Sequence, residues 1–179
     1  MFQQHAVAEN PFLKDVLGLR AAVEPCLAPP ASADAASTIA LLQSVLAMEI
    51  ACVLRYTEIA VSHDGLKNAW IGAEFQEQAN DERRHMRMAA ERIEQLGGTP
   101  NFNPERLASN AASTDAAASF PRRIAENLAA EQSVIAHYRD LITHFSRTDP
   151  QSAAILEEIV RDEENHTNDM QDLLAAYLG

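Results

Sequence analysis

The chain is short of the residues that break helices: six Gly and eight Pro in 179 positions. It also has no recurring alternation of β-branched and aromatic residues, so an all-helical fold is expected rather than a sheet. Only two cysteines occur, Cys26 and Cys52, and they form neither a CxxC pair nor a disulfide framework. That excludes a structural zinc knuckle and points to a reducing compartment, most simply the cytoplasm. Positive charge is scarce as well. Fourteen Lys and Arg against 26 Asp and Glu leave a net charge of −12, which argues against nucleic acid or an anionic membrane as partner and suits the attraction of small cations. Met1 to Asn10 lacks a basic stretch followed by an apolar one, and no apolar run is expected to reach membrane-spanning length. Neither a targeting segment nor a membrane span is anticipated.

What the chain does have is an echo. Asp81-Glu82-Arg83-Arg84-His85 returns as Asp162-Glu163-Glu164-Asn165-His166. A Glu three residues before a His places both side chains on one helix face. The preceding Asp supplies a hydrogen-bond partner for a metal-bound imidazole.

Residues 1–33 read as an appendage with one short amphipathic helix around Phe12, Leu13, Val16, Leu17 and Leu19, broken by Pro25 and Pro29-Pro30. Residues 34–179 read as a four-helix bundle. The first seam is Leu42, Val45, Glu49, Cys52, Tyr56, Ile59 and His63, ending at Gly65. The second is Ile71, Phe75, Gln78, Glu82, His85, Ala89, Ile93 and Leu96, ending at Gly97-Gly98. Residues 99–118 are too long for a hairpin turn and read as a crossover. Ser119 with Pro121 opens a third helix through Ile124, Leu128, Glu131, Ile135, Tyr138, Ile142 and Phe145. Asp149-Pro150 opens a fourth through Ile155, Ile159, Glu163, His166, Met170, Leu173 and Tyr177. The architecture expected is two antiparallel hairpins joined by a long crossover.

The repeat extends beyond the echo. Glu49 with Tyr56 precedes the first Glu-x-x-His by nearly the same stretch as Glu131 with Tyr138 precedes the second. At about 1.5 Å rise per residue, all four carboxylates should meet at one level. Four seam carboxylates cannot all stay ionised in an apolar interior without cations. Two divalent metals balance their charge, and His85 and His166 then supply one nitrogen to each. Mixed carboxylate and imidazole ligands suit iron or manganese, with zinc able to occupy such a site in a crystal. Asp81 is expected to pair with His166, and Asp162 with His85. Tyr56 and Tyr138 are candidates for a carboxylate hydrogen bond or a redox relay, and Arg84 for neutralising a buried Asp. Cys52 reads as a small buried residue, His63 and His137 as surface groups, and Met86 and Met88 as packing.

With Ser44-Val45-Leu46-Ala47-Met48-Glu49, Gly97-Gly98-Thr99-Pro100-Asn101 and Glu158-Ile159-Val160-Arg161-Asp162-Glu163-Glu164-Asn165-His166, residues 38–178 resemble the ferritin-like di-iron carboxylate proteins, bacterioferritin most closely. The resemblance implies a ferroxidase centre. Glu49, Glu82, His85, Glu131, Glu163 and His166 would bind two irons, with Glu82 and Glu163 bridging. Two Fe(II) would reduce oxygen or hydrogen peroxide, and the Fe(III) would be stored or re-reduced. Two departures narrow this expectation. Arg83 stands where the family's haem-ligating Met follows the Glu, so haem is not expected, Met48 and Met86 being the nearest methionines. Only 13 residues follow His166, too few for the short fifth helix of a 24-subunit cage, so a homodimer is expected instead. Two other readings stay open: a dimeric di-iron or di-manganese peroxidase or catalase resembling rubrerythrin without its rubredoxin module, and a non-catalytic metal-binding bundle.

Overall fold

The computed structural model describes residues 10–27, 34–62, 69–103 and 119–178. Among them are five helices and no strand: α1 Pro11–Leu27, α2 Ala35–Ser62, α3 Ala69–Gln95, α4 Phe120–Thr148 and α5 Pro150–Leu178. The expected stop at Gly65, the seam residue His63 and most of the crossover lie outside the described residues.

Local chemistry sets the helix ends. Asp34 caps α2, its Oδ1 accepting from the Ser37 backbone N–H at 2.8 Å. Gly97, at φ +82°, lets the chain leave α3 through the Gly98 N–H to Ile93 carbonyl bond of 2.9 Å. Asp149 caps α5, with Oδ1 3.4 Å from the Ser152 backbone N–H and Oδ2 2.5 Å from the Ser152 hydroxyl. Arg92 clamps the same carboxylate from α3 with bonds of 2.7 and 2.8 Å. Ser119 occupies the cap position of α4, but its hydroxyl makes no cap hydrogen bond.

The four long helices pack pairwise, α2 along α3 and α4 along α5. The Gln43 side chain near the start of α2 donates to the Thr99 carbonyl just past α3 at 2.8 Å, so that pair is antiparallel. Phe120 at the start of α4 stacks against Tyr177 near the end of α5 at 4.8 Å, so the second pair is antiparallel too. Ion pairs tie the pairs together at opposite ends. Arg123 meets Glu58 at 2.5 Å, while Arg92 reaches across to Asp149 and Ser152.

The seams pack as their spacing predicts at most positions, with instructive exceptions. Leu156 is fully buried while Ile155 is only partly so, and Tyr177 is 48% exposed. A 3.6-residue repeat drifts from the interface over eight turns, so its ends miss. Helix α1 does not stop before Pro25: it runs through it to Leu27. In a last turn proline removes one hydrogen bond that fraying would weaken anyway. This helix packs against α4 and α2 and buries Phe12, Leu13, Val16 and Val23 in the common core. Asn10 anchors its start, capping the Leu13 N–H and donating to the Glu126 carbonyl. Contrary to the reading that no run is long enough, α2 is long and apolar enough to cross a membrane. Its apolar residues Leu41, Leu42, Val45, Leu46 and Met48 are covered by the other helices, and Glu49 interrupts them at mid-helix.

Candidate metal centre

Halfway along the four helices the apolar seam gives way to acids. Glu49, Glu82, Glu131 and Glu163 are at most 1% exposed, and His85 and His166 at most 3%. Each sits in a helical stripe that is otherwise mostly apolar, so the backbone cannot turn it to solvent without exposing the core. An ionised carboxylate there costs several kcal/mol unless it is compensated.

The compensation is arranged about two imidazoles. His85 Nδ1 lies 3.1 Å from Glu163 Oε1 and 3.5 Å from both Glu49 Oε2 and Glu82 Oε2. His166 Nδ1 lies 3.1 Å from Glu163 Oε2 and 3.2 Å from Glu82 Oε1. Both rings thus turn Nδ1 inward. Their Nε2 atoms point outward, His85 to Asp162 at 3.1 Å and His166 to Asp81 at 3.4 Å. A carboxylate accepts, so each Nε2 holds a hydrogen, and Nδ1 is the nitrogen left to face the interior, where it carries a proton or, once that is lost, offers a lone pair. The two tyrosines cross between hairpins: the Tyr56 hydroxyl donates to Glu131 Oε1, and the Tyr138 hydroxyl to Glu49 Oε1.

The electrostatics of the ring favour positive charge at its centre. Burial alone would lower the pKa of His85, but the carboxylates of Glu163, Glu49 and Glu82 outweigh it and raise it. Opposed in the same way by burial, Glu163 and Glu82 push His166 up to about 12. Burial and then Glu49 raise the Glu82 carboxyl, while burial and then Glu163 raise Glu131 well above its usual value. Every shift reports one demand, for positive charge inside the ring of acids.

Donors without partners show that metals fit. Glu49 Oε2, both Glu82 oxygens, Glu131 Oε2, Glu163 Oε1 and His85 Nδ1 are buried and make no hydrogen bond of good geometry, the carboxylate–imidazole approaches above being ionic contacts only. Native interiors rarely leave such groups unsatisfied. Ligand atoms of Glu49, Glu82, His85 and Glu163 lie within 4.8 Å of one another, as do those of Cys52, Glu82 and Glu131. Glu82 belongs to both groups. The Cys52 thiol is 3.8 Å from Glu131 Oε1, and burial, then Glu131 and Glu82, raise its pKa.

Other expectations meet the structure unevenly. Arg84 reaches Asp162 at 2.5 Å, Glu158 at 3.0 Å and Asp81 at 3.7 Å, but those acids are on a partly exposed rim rather than buried. His137, expected at the surface, is fully buried on α4 with Nε2 3.4 Å from Ser44 Oγ. Burial, and then Arg20, push it down to about 4, so it is a neutral core group. Its spacing one residue before the seam residue Tyr138 put it on the flank of the stripe, and α1 covers that flank. Arg83 folds away, to the Ala79 carbonyl, Asn80 and Thr57 Oγ1. Gln78 was legible as a polar seam residue one turn before Glu82, but not as the floor of a cavity.

An all-helical fold around a buried ring of four carboxylates and two histidines defines a carboxylate protein with a candidate di-metal centre. A family model for the ferritin-like domain matches residues 39–177, and the chain belongs to that family. Among solved structures, it is similar to a bacterioferritin-related protein from Bacteroides fragilis described as a dodecameric thioferritin: 28% identity, TM-score 0.70, covering 81% of this chain and 88% of that one. Desulfovibrio desulfuricans bacterioferritin, whose di-iron site is described in different catalytic states, is 23% identical with a TM-score of 0.70 over 79% of this chain and 80% of that one. A ferritin-like di-iron carboxylate protein from Bacillus anthracis str. Ames is 24% identical with a TM-score of 0.68 over 80% and 99%. These last two likenesses bear on the fold alone. A search among curated proteins finds no match.

Proposed function

We propose that the chain is a bacterioferritin-like di-iron protein that oxidises Fe(II) with oxygen or peroxide, serving iron storage or detoxification. The observation that carries this is the set of buried, unpartnered donors on Glu49, Glu82, His85, Glu131 and Glu163, facing one another in an otherwise apolar interior. In this reading the four long helices form a four-helix bundle of two hairpins joined by a crossover. Glu49 with His85, and Glu131 with His166, would hold one iron each, with Glu82 and Glu163 available to both.

Iron supplies the redox chemistry, two Fe(II) giving two electrons to the oxidant. The protein supplies everything around it. Four carboxylates balance two divalent charges, so neither iron needs a mobile counter-ion. Asp162 and Asp81 hold the imidazole Nε2–H groups and so fix which nitrogen faces the metal. Tyr56 and Tyr138 hold one oxygen of Glu131 and Glu49, leaving the other free to bind. Burial and Glu49 raise the Tyr138 pKa well above its usual value, so the phenol stays a donor. The apolar residues of the same helices, among them Leu46, Ile59, Phe75 and Phe145, are fully buried, so the ring of acids lies within a water-poor interior.

The test is anaerobic Fe(II) titration followed by exposure to oxygen or peroxide. Two Fe(II) should bind per chain and oxidise rapidly. Glu82→Ala combined with Glu163→Ala should abolish both binding and oxidation, and persistence of either would overturn the assignment. Light scattering before and after iron loading tests the assembly. The proposed minimum is a homodimer, and a dodecamer of the kind described for the Bacteroides protein would replace it. Metal analysis after growth in iron and manganese distinguishes a manganese occupant.

A further inference from the structure

The two halves of the centre differ beside their lone carboxylates. The offset that carries Glu49 to Glu131 and Tyr56 to Tyr138 carries Cys52 to Val134. Both are 1% exposed, and each stands one turn after its lone Glu on the same helical stripe. One half therefore carries sulfur where the other carries only methyl groups.

The sulfur is aimed at metal-ligand atoms. Cys52 Sγ lies 3.8 Å from Glu131 Oε1, and ligand atoms of Cys52, Glu82 and Glu131 lie within 4.8 Å of one another. Tyr56 already donates to that Glu131 oxygen, and an S–H is a weak donor, so the thiol adds little as a hydrogen-bonding group. Glu131 Oε2 and both Glu82 oxygens are buried and make no hydrogen bond of good geometry, so the sulfur faces two carboxylates with lone pairs still to place. His166 Nδ1, 3.2 Å from Glu82 Oε1, stands beside them. A tetrahedral ion with bonds of about 2.0 Å to oxygen and about 2.3 Å to sulfur sets those two donors about 3.5 Å apart. That is slightly less than the 3.8 Å between Cys52 Sγ and Glu131 Oε1.

One sulfur, one nitrogen and two oxygens make a donor set different in kind from Glu49, His85 and the acids between them. Thiolate is soft and selects zinc-like ions, whereas carboxylate suits manganese. Charge sharpens the difference. Ligation replaces the S–H hydrogen by the metal, the proton leaving to solvent, and adds a fifth negative charge to the four carboxylates. Two divalent ions no longer balance the set, so only an ion that bonds sulfur strongly takes the thiolate. A hard ion leaves the hydrogen on sulfur.

We propose that Cys52 is a specificity-determining donor of the centre: with Glu82, Glu131 and His166 it ligates a thiophilic divalent ion, and it leaves the Glu49–His85 position to harder ions. This deepens the di-metal reading and rests on it for the second ion; the Cys52 position needs only one.

The probes are Co(II), Zn(II) and Mn(II), on the full chain freed of metal by chelation. Wild type titrated with Co(II) should show a sulfur-to-cobalt charge-transfer band in the near ultraviolet that saturates at one ion per chain. Cys52→Ala should abolish the band and weaken the tightest Zn(II) binding at least about tenfold, the least that loss of an outer partner costs. Its Mn(II) affinity should stay within about twofold. Cys52→Ser, which keeps the size of the side chain, should lose the band as well. Cys26→Ala, at the partly buried cysteine of α1, should leave band and affinities as they are. A merely structural role for Cys52 would weaken Zn(II) and Mn(II) alike, and that result would overturn the proposal, as would a band that survives Cys52→Ala. Two Co(II) bound without the band would reject the sulfur ligand and keep the dinuclear centre. One Co(II) bound with the band, and lost in Cys52→Ala, would keep the sulfur ligand and reject the second metal.

Discussion

The two hairpins agree closely at the centre and disagree at the rim. Inside, each gives one lone Glu, one Glu-x-x-His and one Tyr, and each Tyr bonds the lone Glu of the other hairpin. Outside, the face beyond His85 is closed by Arg84 and the face beyond His166 is an acidic groove. The difference separates two kinds of constraint. A buried carboxylate must be matched in charge, so each half has to keep its donors for the centre to stay neutral. A rim residue is bathed in water, where either sign is tolerated, so the halves can diverge and take different tasks.

The strongest way to break the inner symmetry is to delete one lone carboxylate at a time. Glu49→Ala and Glu131→Ala should each reduce tight Co(II) binding from two ions to one, with the affinity of the lost ion falling by more than about 100-fold, beyond what outer partners cost. Dialysis against Co(II) measures it. If either change alone removes both ions, the two lone carboxylates serve one metal and the halves are not equivalent.

Next comes the pair of Asp–His contacts. Asp162→Ala and Asp81→Ala should each weaken metal binding by about 10–100-fold. Asp162 should cost more, because its oxygen stands 3.1 Å from His85 Nε2 against 3.4 Å for Asp81 and His166, and because it also holds Arg84. Calorimetric titration of both variants settles the order, and a larger loss at Asp81 would reverse this ranking.

Much of this centre was readable from spacing alone, because a polar residue on an apolar helical seam is conspicuous. Glu49, Glu82, His85, Glu131, Glu163 and His166 are brought together in the structure as the matched spacings require. The Asp81–His166 and Asp162–His85 contacts follow from the same geometry, one residue off the seam. What could not be read lies where spacing carries no information. His137 is buried because α1 lies over α4, and nothing in the α4 repeat says that a fifth helix will cover its flank. Tyr177 falls on the seam by count but beyond the packed length. The acidic groove needs two stripes from helices far apart in sequence to face one another, and each stripe alone reads as an ordinary solvated face.

A finer comparison uses the crossed tyrosines. Tyr56→Phe and Tyr138→Phe each leave a buried carboxylate oxygen without its donor. Each should destabilise the metal-free protein by about 1–3 kcal/mol, and the two costs should agree within about 0.5 kcal/mol if the halves are equivalent. Urea unfolding of the two variants reads this directly. A cost at one position only would show that the two hairpins do not share the burial of their carboxylates equally.

The smallest effect on stability is expected at the closed face. Arg84 and its partners are 28–52% exposed, so Arg84→Ala should cost less than about 1 kcal/mol despite three ion pairs. Urea unfolding of Arg84→Ala beside the wild type measures this cost. The guanidinium is shared among Asp81, Asp162 and Glu158, all partly exposed to water, and water replaces most of what each pair contributes. A loss well above about 1 kcal/mol would show that the three pairs act as one network, and that this rim is held under a constraint closer to that of the buried ring than to that of a solvated face.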